Sequence, residues 1–363
     1  MREQVDVLVV GAGPAGSSAA RAAAAGGAQV LIVERRRRVG IPVQCAEYVP
    51  AQIVRYAPLP ERCIGQRIAT LRTYLPDGER VETPAGGYVI DRAAFDQALA
   101  VAAHRAGARI WTRARALERT ADGALVRRGG EAIEVRCRVL IGADGPGSTV
   151  GRWAGQENAA YIDARQVEVV LPAPRPSTEV YFDPLYRGGY GWLFPKGDTA
   201  NVGVGVSRAM GGDPRAALGH LLDRLGLAEG AIIGRTAGRV PTGGEVGALV
   251  AGNVLLAGDA AGQTHPITGA GVASAVIGGT LAGEAAARAA KAGDLALLRS
   301  YEDEWSTMRG PLRHALAKRR YLDQHWSDDP ARLSALLRET WIAFRAYGRP
   351  TGQRRRAGAQ DEG

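Results

Sequence analysis

At 363 residues the chain is long enough to bury a sizeable core in two joined domains. Its three cysteines, Cys45, Cys63 and Cys137, are too few and too scattered for a disulfide framework or an iron–sulfur cluster, which suits a reducing cytoplasm, and no metal site is read. The net charge of +9 owes most to two runs, Arg35–Arg38 and Arg354–Arg356, with no interleaved aromatics; this argues against nucleic acid and leaves a solvated face, an anionic membrane surface or an acidic redox partner.

In chain order, the apolar run Val5 to Val10 predicts a buried parallel strand, and the alanine-rich residues 14–26 predict the helix after it. No signal peptide is expected ahead of a strand that starts so early. Between strand and helix, Gly11-Ala12-Gly13-Pro14-Ala15-Gly16 has the spacing of a dinucleotide fingerprint. Gly11 allows the tight turn, Gly13 lets the backbone approach a pyrophosphate, and Gly16 lets helix and strand pack closely. A second strand, Gln29 to Val33, leads to Glu34, 18 residues past Gly16, where a carboxylate can accept both hydroxyls of an adenosine ribose. FAD or NAD fits such a site; a 2′-phosphate on that ribose would be repelled.

Residues 59–90 read as short strands with turns at Pro76-Asp77-Gly78 and Pro84-Ala85-Gly86-Gly87. Asp91 is the expected N-cap of a helix over 91–106, followed by a strand at Arg109–Trp111 and a hairpin marked by Asp122-Gly123 and Gly129-Gly130. From 156 to about 250 the pattern alternates as antiparallel strands do, most clearly in Glu179–Phe182 and Ala200–Val206. The strand Asn253–Ala257 ends in Gly258-Asp259, and His265-Pro266-Ile267-Thr268-Gly269-Ala270-Gly271 opens a long small-residue helix. Asp259 is placed to bind a ribityl hydroxyl, and the helix from Gly269 can aim N–H groups at the electron-rich edge of a flavin; NAD has no group for that helix, so FAD is the cofactor read. The run Gly269–Gly283 is broken by Glu284 and lies on this motif, so no bilayer-spanning segment is read and any membrane association is peripheral. Residues 290–347 are helical in character, with Trp305, Trp326 and Trp341 read as packing residues, and 351–363 as a disordered tail.

These motifs resemble the FAD-dependent flavoproteins of the glutathione-reductase-like fold, in the branch of para-hydroxybenzoate hydroxylase-type monooxygenases, flavin halogenases and geranylgeranyl reductases. Two more segments carry the likeness: Ile141-Gly142-Ala143-Asp144-Gly145-Pro146 and Asp91-Arg92-Ala93-Ala94-Phe95-Asp96. The resemblance implies an α/β fold: a discontinuous Rossmann-type FAD domain (1–58, 91–155, 251–290), an antiparallel-sheet substrate domain (59–90, 156–250) and C-terminal helices (291–350). It places Gly11, Gly13, Ala15, Gly16, Glu34 and Arg35 around the adenosine half of the cofactor. Cys45, Ala46, Arg92, Asp144, Gly258, Asp259, Pro266, Gly269, Ala270 and Gly271 fall around the rest.

Within that branch, Tyr190-Gly191-Trp192-Leu193-Phe194-Pro195 with Asn201-Val202-Gly203-Val204-Gly205 is similar to the pattern of geranylgeranyl reductases. Alternation sets Tyr190, Trp192 and Phe194 on one face as an aromatic wall suited to a polyprenyl chain, though an ordinary core strand has the same spacing. Pro42-Val43-Gln44-Cys45-Ala46-Glu47-Tyr48 resembles the cysteine loop of the same reductases, which implies that Cys45 takes part in the reduction; a small buried hydrophobe is the plainer reading. His265 sits in the flavin-facing loop and can bond the ring, a substrate or backbone. The expected reaction is hydride transfer from reduced FAD to an isolated alkene of a prenyl lipid or quinone, with a proton from Cys45, Tyr190 or an ordered water and His265 as a further candidate catalytic residue. With no second complete fingerprint, re-reduction falls to transient NAD(P)H or another donor. Two rivals share the fold: a monooxygenase acting on an aromatic substrate, and an electron-transfer flavoprotein. The expected location is cytoplasmic, at most peripheral to the inner face of the membrane.

Overall fold

The computed structural model describes residues 2–227 and 229–350; the tail read at 351–363 lies outside the described residues. The first half runs β1 (Arg2–Val10), α1 (Pro14–Ala25), β2 (Val30–Glu34), β3 (Tyr48–Pro50), β4 (Ile64–Tyr74), β5 (Arg80–Ile90), α2 (Arg92–Arg105), β6 (Arg109–Thr112), β7 (Ala114–Thr120), β8 (Gly123–Arg128) and β9 (Glu131–Gly142). The second runs α3 (Thr149–Trp153), β10 (Tyr161–Val170), β11 (Thr178–Tyr181), β12 (Tyr190–Lys196), β13 (Thr199–Val206), α4 (Pro214–Leu225), β14 (Ile232–Pro241), β15 (Val250–Ala251), β16 (Val254–Leu256), α5 (Val272–Ala292), α6 (Ser300–His325) and α7 (Pro330–Thr340).

One sheet has the order β15-β16-β9-β1-β2-β6, with β8 and β7 continuing from β9 as a meander. Its central strands are parallel and covered on both faces, which is why Val7, Leu8, Val9, Leu31, Ile32 and Ile141 form unbroken apolar runs. Helices α1 and α5 pack on it through small residues. A Cβ on Gly279 would stand 2.1 Å from the Ala15 carbonyl oxygen, and one on Gly283 2.1 Å from that of Ala19. The backbones approach so closely that only glycine fits.

The other sheet has the order β14-β10-β13-β12-β11-β4-β5-β3. Its pairs are antiparallel as expected except one, where β11 pairs with β4 in parallel. The chain between those strands passes through the first sheet, and such a crossover can deliver a parallel partner. A correction concerns 59–90: β4 and β5 are eleven residues each, and Pro84-Ala85-Gly86-Gly87 lies inside β5 rather than at a turn. Gly87 is small because the Tyr48 ring crosses it; a Cβ there would be 2.7 Å from the Tyr48 hydroxyl. One face of β13 (Val202, Val204, Val206) packs with Leu193, Ala217 and Leu221. The opposite face carries Asn201, Gly203 and Gly205 toward the site.

Trp305 is fully buried in the core of the first sheet, and Trp341 lies in the core between the second sheet and α7. Trp326 packs half-buried against that second core, so all three tryptophans are packing residues. No helix among the described residues is long and apolar enough to cross a membrane.

Candidate active site

The fingerprint turn is closed by sterics. Gly11 has φ +102°, and a Cβ there would be 2.3 Å from the Ala143 carbonyl oxygen; one on Gly16 would be 1.9 Å from the Gly11 oxygen. At Gly13, by contrast, a Cβ meets nothing within 4 Å. The N-terminus of α1, capped by Gly13 with no side-chain bond and Pro14 in its first turn, therefore presents unsatisfied N–H groups to open space, the cradle a pyrophosphate needs. At the end of β2 the Glu34 carboxylate accepts from Ala12 N (2.9 Å) and Arg36 N (2.8 Å), with the exposed Arg35 beside it.

The distal end is built on β16. Gly258 (φ +67°) packs its Cα face on the Ala15 methyl, and the Gln263 amide accepts from Gly258 N at 2.8 Å. Asp259 is half-buried, and among the described residues none donates a hydrogen bond to its carboxylate. Burial pushes its pKa up while the Arg92 charge opposes the rise. A carboxylate so placed lacks the partner a ligand hydroxyl supplies. Beyond it Pro266, Gly269, Ala270 and Gly271 lead into α5, whose N-cap is Gly271. This cradle and this orphan carboxylate fit FAD. Asp144 is placed differently from a free ligand: its carboxylate accepts from Ser148 Oγ (2.5 Å) and Thr149 N (2.6 Å), holding the start of α3.

Asp91 caps α2 as expected, accepting from Ala94 N at 2.8 Å. Arg92 bonds Asp96 at 2.7 Å and lies within hydrogen-bonding reach of the Cys45 sulfur. Burial works against its charge, but Asp96 and Cys45 outweigh it and hold its pKa above the usual. The Cys45 sulfur also accepts from Glu47 N at 3.2 Å. Cys63 and Cys137 are buried apolar residues whose thiol pKa values burial raises, Cys137 to about 12.

Sequence reasoning missed Glu47. It is buried at φ +73°, one of two non-glycine residues in the left-handed region among the described residues, the other being Arg113. Such a conformation costs roughly 1–3 kcal/mol and persists only where the surroundings enforce it. Here the carboxylate accepts from Arg92 N, Lys196 Nζ and Asn201 Nδ2, each at 2.7 Å, tying the cysteine loop to α2, β12 and β13. Gln166 on β10 was also missed: it accepts from Trp192 Nε1 (3.0 Å) and donates to the Cys45 carbonyl (3.1 Å).

Tyr190, Trp192 and Phe194 do share one face. Ring centroids are 6.0 Å apart for Tyr190–Trp192 and 6.5 Å for Trp192–Phe194. Tyr48, Phe182 and Trp341 extend the wall. The Gly-x-Gly of β13 is what lets it lie flat, since a Cβ on Gly203 would be 2.4 Å from the indole of Trp192. The Tyr190 hydroxyl donates to the Thr268 carbonyl at 2.5 Å, and burial raises its pKa, so the wall and the 265–271 loop are joined.

His265 Nδ1 accepts from Thr268 N (3.2 Å) and Nε2 faces the Tyr347 hydroxyl (3.2 Å). Burial, aided by His314, pulls its pKa down to about 4. A group whose folded pKa is depressed below the ordinary 6.5 contributes stability that is full above about 6.5 and lost as the pH falls toward about 4. The thermal midpoint of wild type therefore falls more steeply across that window than that of His265→Gln. Parallel acid slopes in the two melts would contradict this.

An FAD-dependent oxidoreductase family model matches residues 6–157. A digeranylgeranylglycerophospholipid reductase of Methanothrix thermoacetophila is 40% identical over 325 residues, covering 83% of this chain and 82% of its own. Another, of Methanothermobacter thermautotrophicus, is 39% identical over 332 residues, 84% of this chain and 82% of its own. Among solved structures, a geranylgeranyl bacteriochlorophyll reductase-like protein from Thermoplasma acidophilum superposes with TM-score 0.83 at 29% identity, over 94% of this chain and 97% of that one. On fold, site and kinship together, the chain belongs to the geranylgeranyl reductase family of FAD-dependent oxidoreductases.

Proposed function

We propose that the protein saturates isolated C=C bonds in the prenyl chains of a lipid or quinone, using FAD. The observation that carries this reading is the continuous apolar wall of Tyr190, Trp192 and Phe194, joined on one side to the flavin-facing loop by Tyr190–Thr268 and on the other to Cys45 through Gln166. Such a wall orders an extended hydrocarbon and keeps water out. The curated relatives, named for digeranylgeranylglycerophospholipids, favour the same substrate class over an aromatic substrate or a pure electron carrier.

Gly11, Gly13, Ala15 and Gly16 would hold the cofactor's pyrophosphate, Glu34 and Arg35 its adenosine, and Gly258, Asp259, Pro266 and Gly269–Gly271 its redox half, with Arg92, Cys45 and Ala46 alongside and Asp144 bracing the start of α3 beside them. When bound and reduced, FAD supplies the hydride. Cys45 supplies the proton to the other alkene carbon, and its sulfur then carries charge against two donors, Glu47 N–H and the Arg92 guanidinium. Tyr190 positions rather than protonates, because its hydrogen is engaged by the Thr268 carbonyl. His265, neutral at physiological pH, orients the 265–271 loop. NAD(P)H or another reductant restores the flavin, and contact with membrane is peripheral.

Incubating the holoprotein with a chemical reductant and a geranylgeranyl lipid in air tests the choice against hydroxylation: lipid product gains hydrogen without oxygen incorporation, and phenols do not stimulate oxygen uptake. A hydroxylated aromatic product would overturn it. Cys45→Ala is expected to retain FAD yet slow lipid reduction by roughly 10²-fold or more; unchanged turnover would remove the thiol from the chemistry.

A further inference from the structure

After α7, residues 341–348 lie against the aromatic wall. The Trp341 ring is 5.1 Å from Phe182 and 5.2 Å from Tyr190, and Phe344 and Tyr347 pack on the same core. Two side chains of α6 hold this segment by its carbonyl groups. Lys318, 1% exposed, donates to Glu339 O (2.8 Å) and Ala346 O (3.4 Å) and bonds no carboxylate among the described residues, a costly way to bury an ammonium. One turn earlier, the His314 ring stands edge-on to Tyr347 at 5.1 Å and its Nε2 meets the Tyr347 carbonyl at 2.7 Å. A carbonyl only accepts, so Nε2 carries the hydrogen there. What these tethers hold in place is the Tyr347 hydroxyl, 3.2 Å from Nε2 of His265.

The tautomer of His265 gives that contact a direction. Nδ1 accepts from Thr268 N and the ring is neutral at physiological pH, so Nε2 carries the hydrogen and the Tyr347 oxygen accepts it. The Thr268 carbonyl in turn accepts from Tyr190, whose ring lies against Trp341. The contacts Tyr347–His265–Thr268–Tyr190–Trp341 therefore close a circuit between the C-terminal segment, the 265–271 loop and the wall. We propose that Tyr347 is a positioning residue for the cofactor: by accepting the Nε2 hydrogen of His265 it fixes the 265–271 loop in the conformation that receives the redox half of the flavin. An imidazole bonded through both nitrogens cannot turn, and the loop built on it is ordered before the cofactor arrives, which lowers the cost of binding. The same order keeps the N–H groups at the start of α5 in place, where they favour the negative charge of a reduced ring.

This role rests on the FAD reading but not on the lipid one, because cofactor binding and flavin potential are read with no lipid present. Apoprotein is titrated with FAD, and the midpoint potential of the holoprotein is measured, for wild type, Tyr347→Phe, His265→Ala and the double variant. Tyr347→Phe keeps the ring in the core, and its thermal midpoint certifies that it is folded. It is expected to weaken FAD binding roughly tenfold and to lower the flavin's midpoint potential. In the His265→Ala background the same change moves neither quantity, because the group Tyr347 acts through is gone. FAD binding and potential unaltered in Tyr347→Phe, or altered equally with and without His265, would overturn the proposal while leaving the FAD reading standing. A wild-type protein that takes up no FAD would overturn both.

Discussion

Gly279→Ala and Gly283→Ala each lower the thermal midpoint of the holoprotein and its flavin content, whereas Gly219→Ala raises the midpoint. The opposite signs follow from what the new methyl group meets. On α4, Gly219 is exposed with nothing within 4 Å, so alanine recovers helix propensity of roughly 0.5–1 kcal/mol. On α5 the same propensity gain is available, but the Cβ would stand 2.1 Å from a backbone carbonyl oxygen of α1, which no rotamer change can relieve. The helices must separate, and overpacking of this kind costs about 1–3 kcal/mol, occasionally more. Because α1 presents the fingerprint turn and α5 follows the 265–271 loop, their separation loosens both halves of the cofactor site together. Thermal melts and flavin-to-protein absorbance ratios check this; a stabilised Gly283→Ala holoprotein would contradict the packing.

Glu47→Ala is expected to destabilise the protein by about 3 kcal/mol and to reduce lipid turnover, while Glu47→Gln loses less. Removing the carboxylate leaves the Lys196 ammonium without its counter-charge and takes away the acceptor for Asn201 and Arg92 N–H. A cation stranded this way costs more than a surface pair, although the part of Lys196 that reaches solvent softens the penalty. Urea denaturation gives the first number and single-turnover kinetics the second. Wild-type stability in Glu47→Ala would show that the loop is held elsewhere.

Much of the candidate cofactor site was legible because its signals are local. Gly11, Gly13 and Gly16 are set by sterics within one turn, Glu34 by the end of an apolar run, and Asp91 by its place before α2. The wall of Tyr190, Trp192 and Phe194 was legible through the period of a strand. What holds the wall to the chemistry was not: Glu47 meets Lys196 and Asn201, and Gln166 meets Cys45, across more than a hundred residues, and no spacing along the chain encodes such pairs. Alternation marked β11 as a strand but not the direction of its neighbour, hence the parallel β4–β11 pairing. Pro84 and Gly87 carry turn signals that tertiary contact overrides, since Gly87 is small to admit the Tyr48 ring.

The central claim, that one polypeptide grips FAD beside an apolar wall and delivers its electrons to an alkene, is tested most directly by a single turnover without oxygen. Fully reduced holoprotein is mixed with a geranylgeranyl lipid, and flavin oxidation and lipid mass are followed in the same sample. The account predicts one flavin oxidised for each double bond saturated. Flavin that stays reduced in the presence of the lipid, or that oxidises with no change in lipid mass, would contradict it.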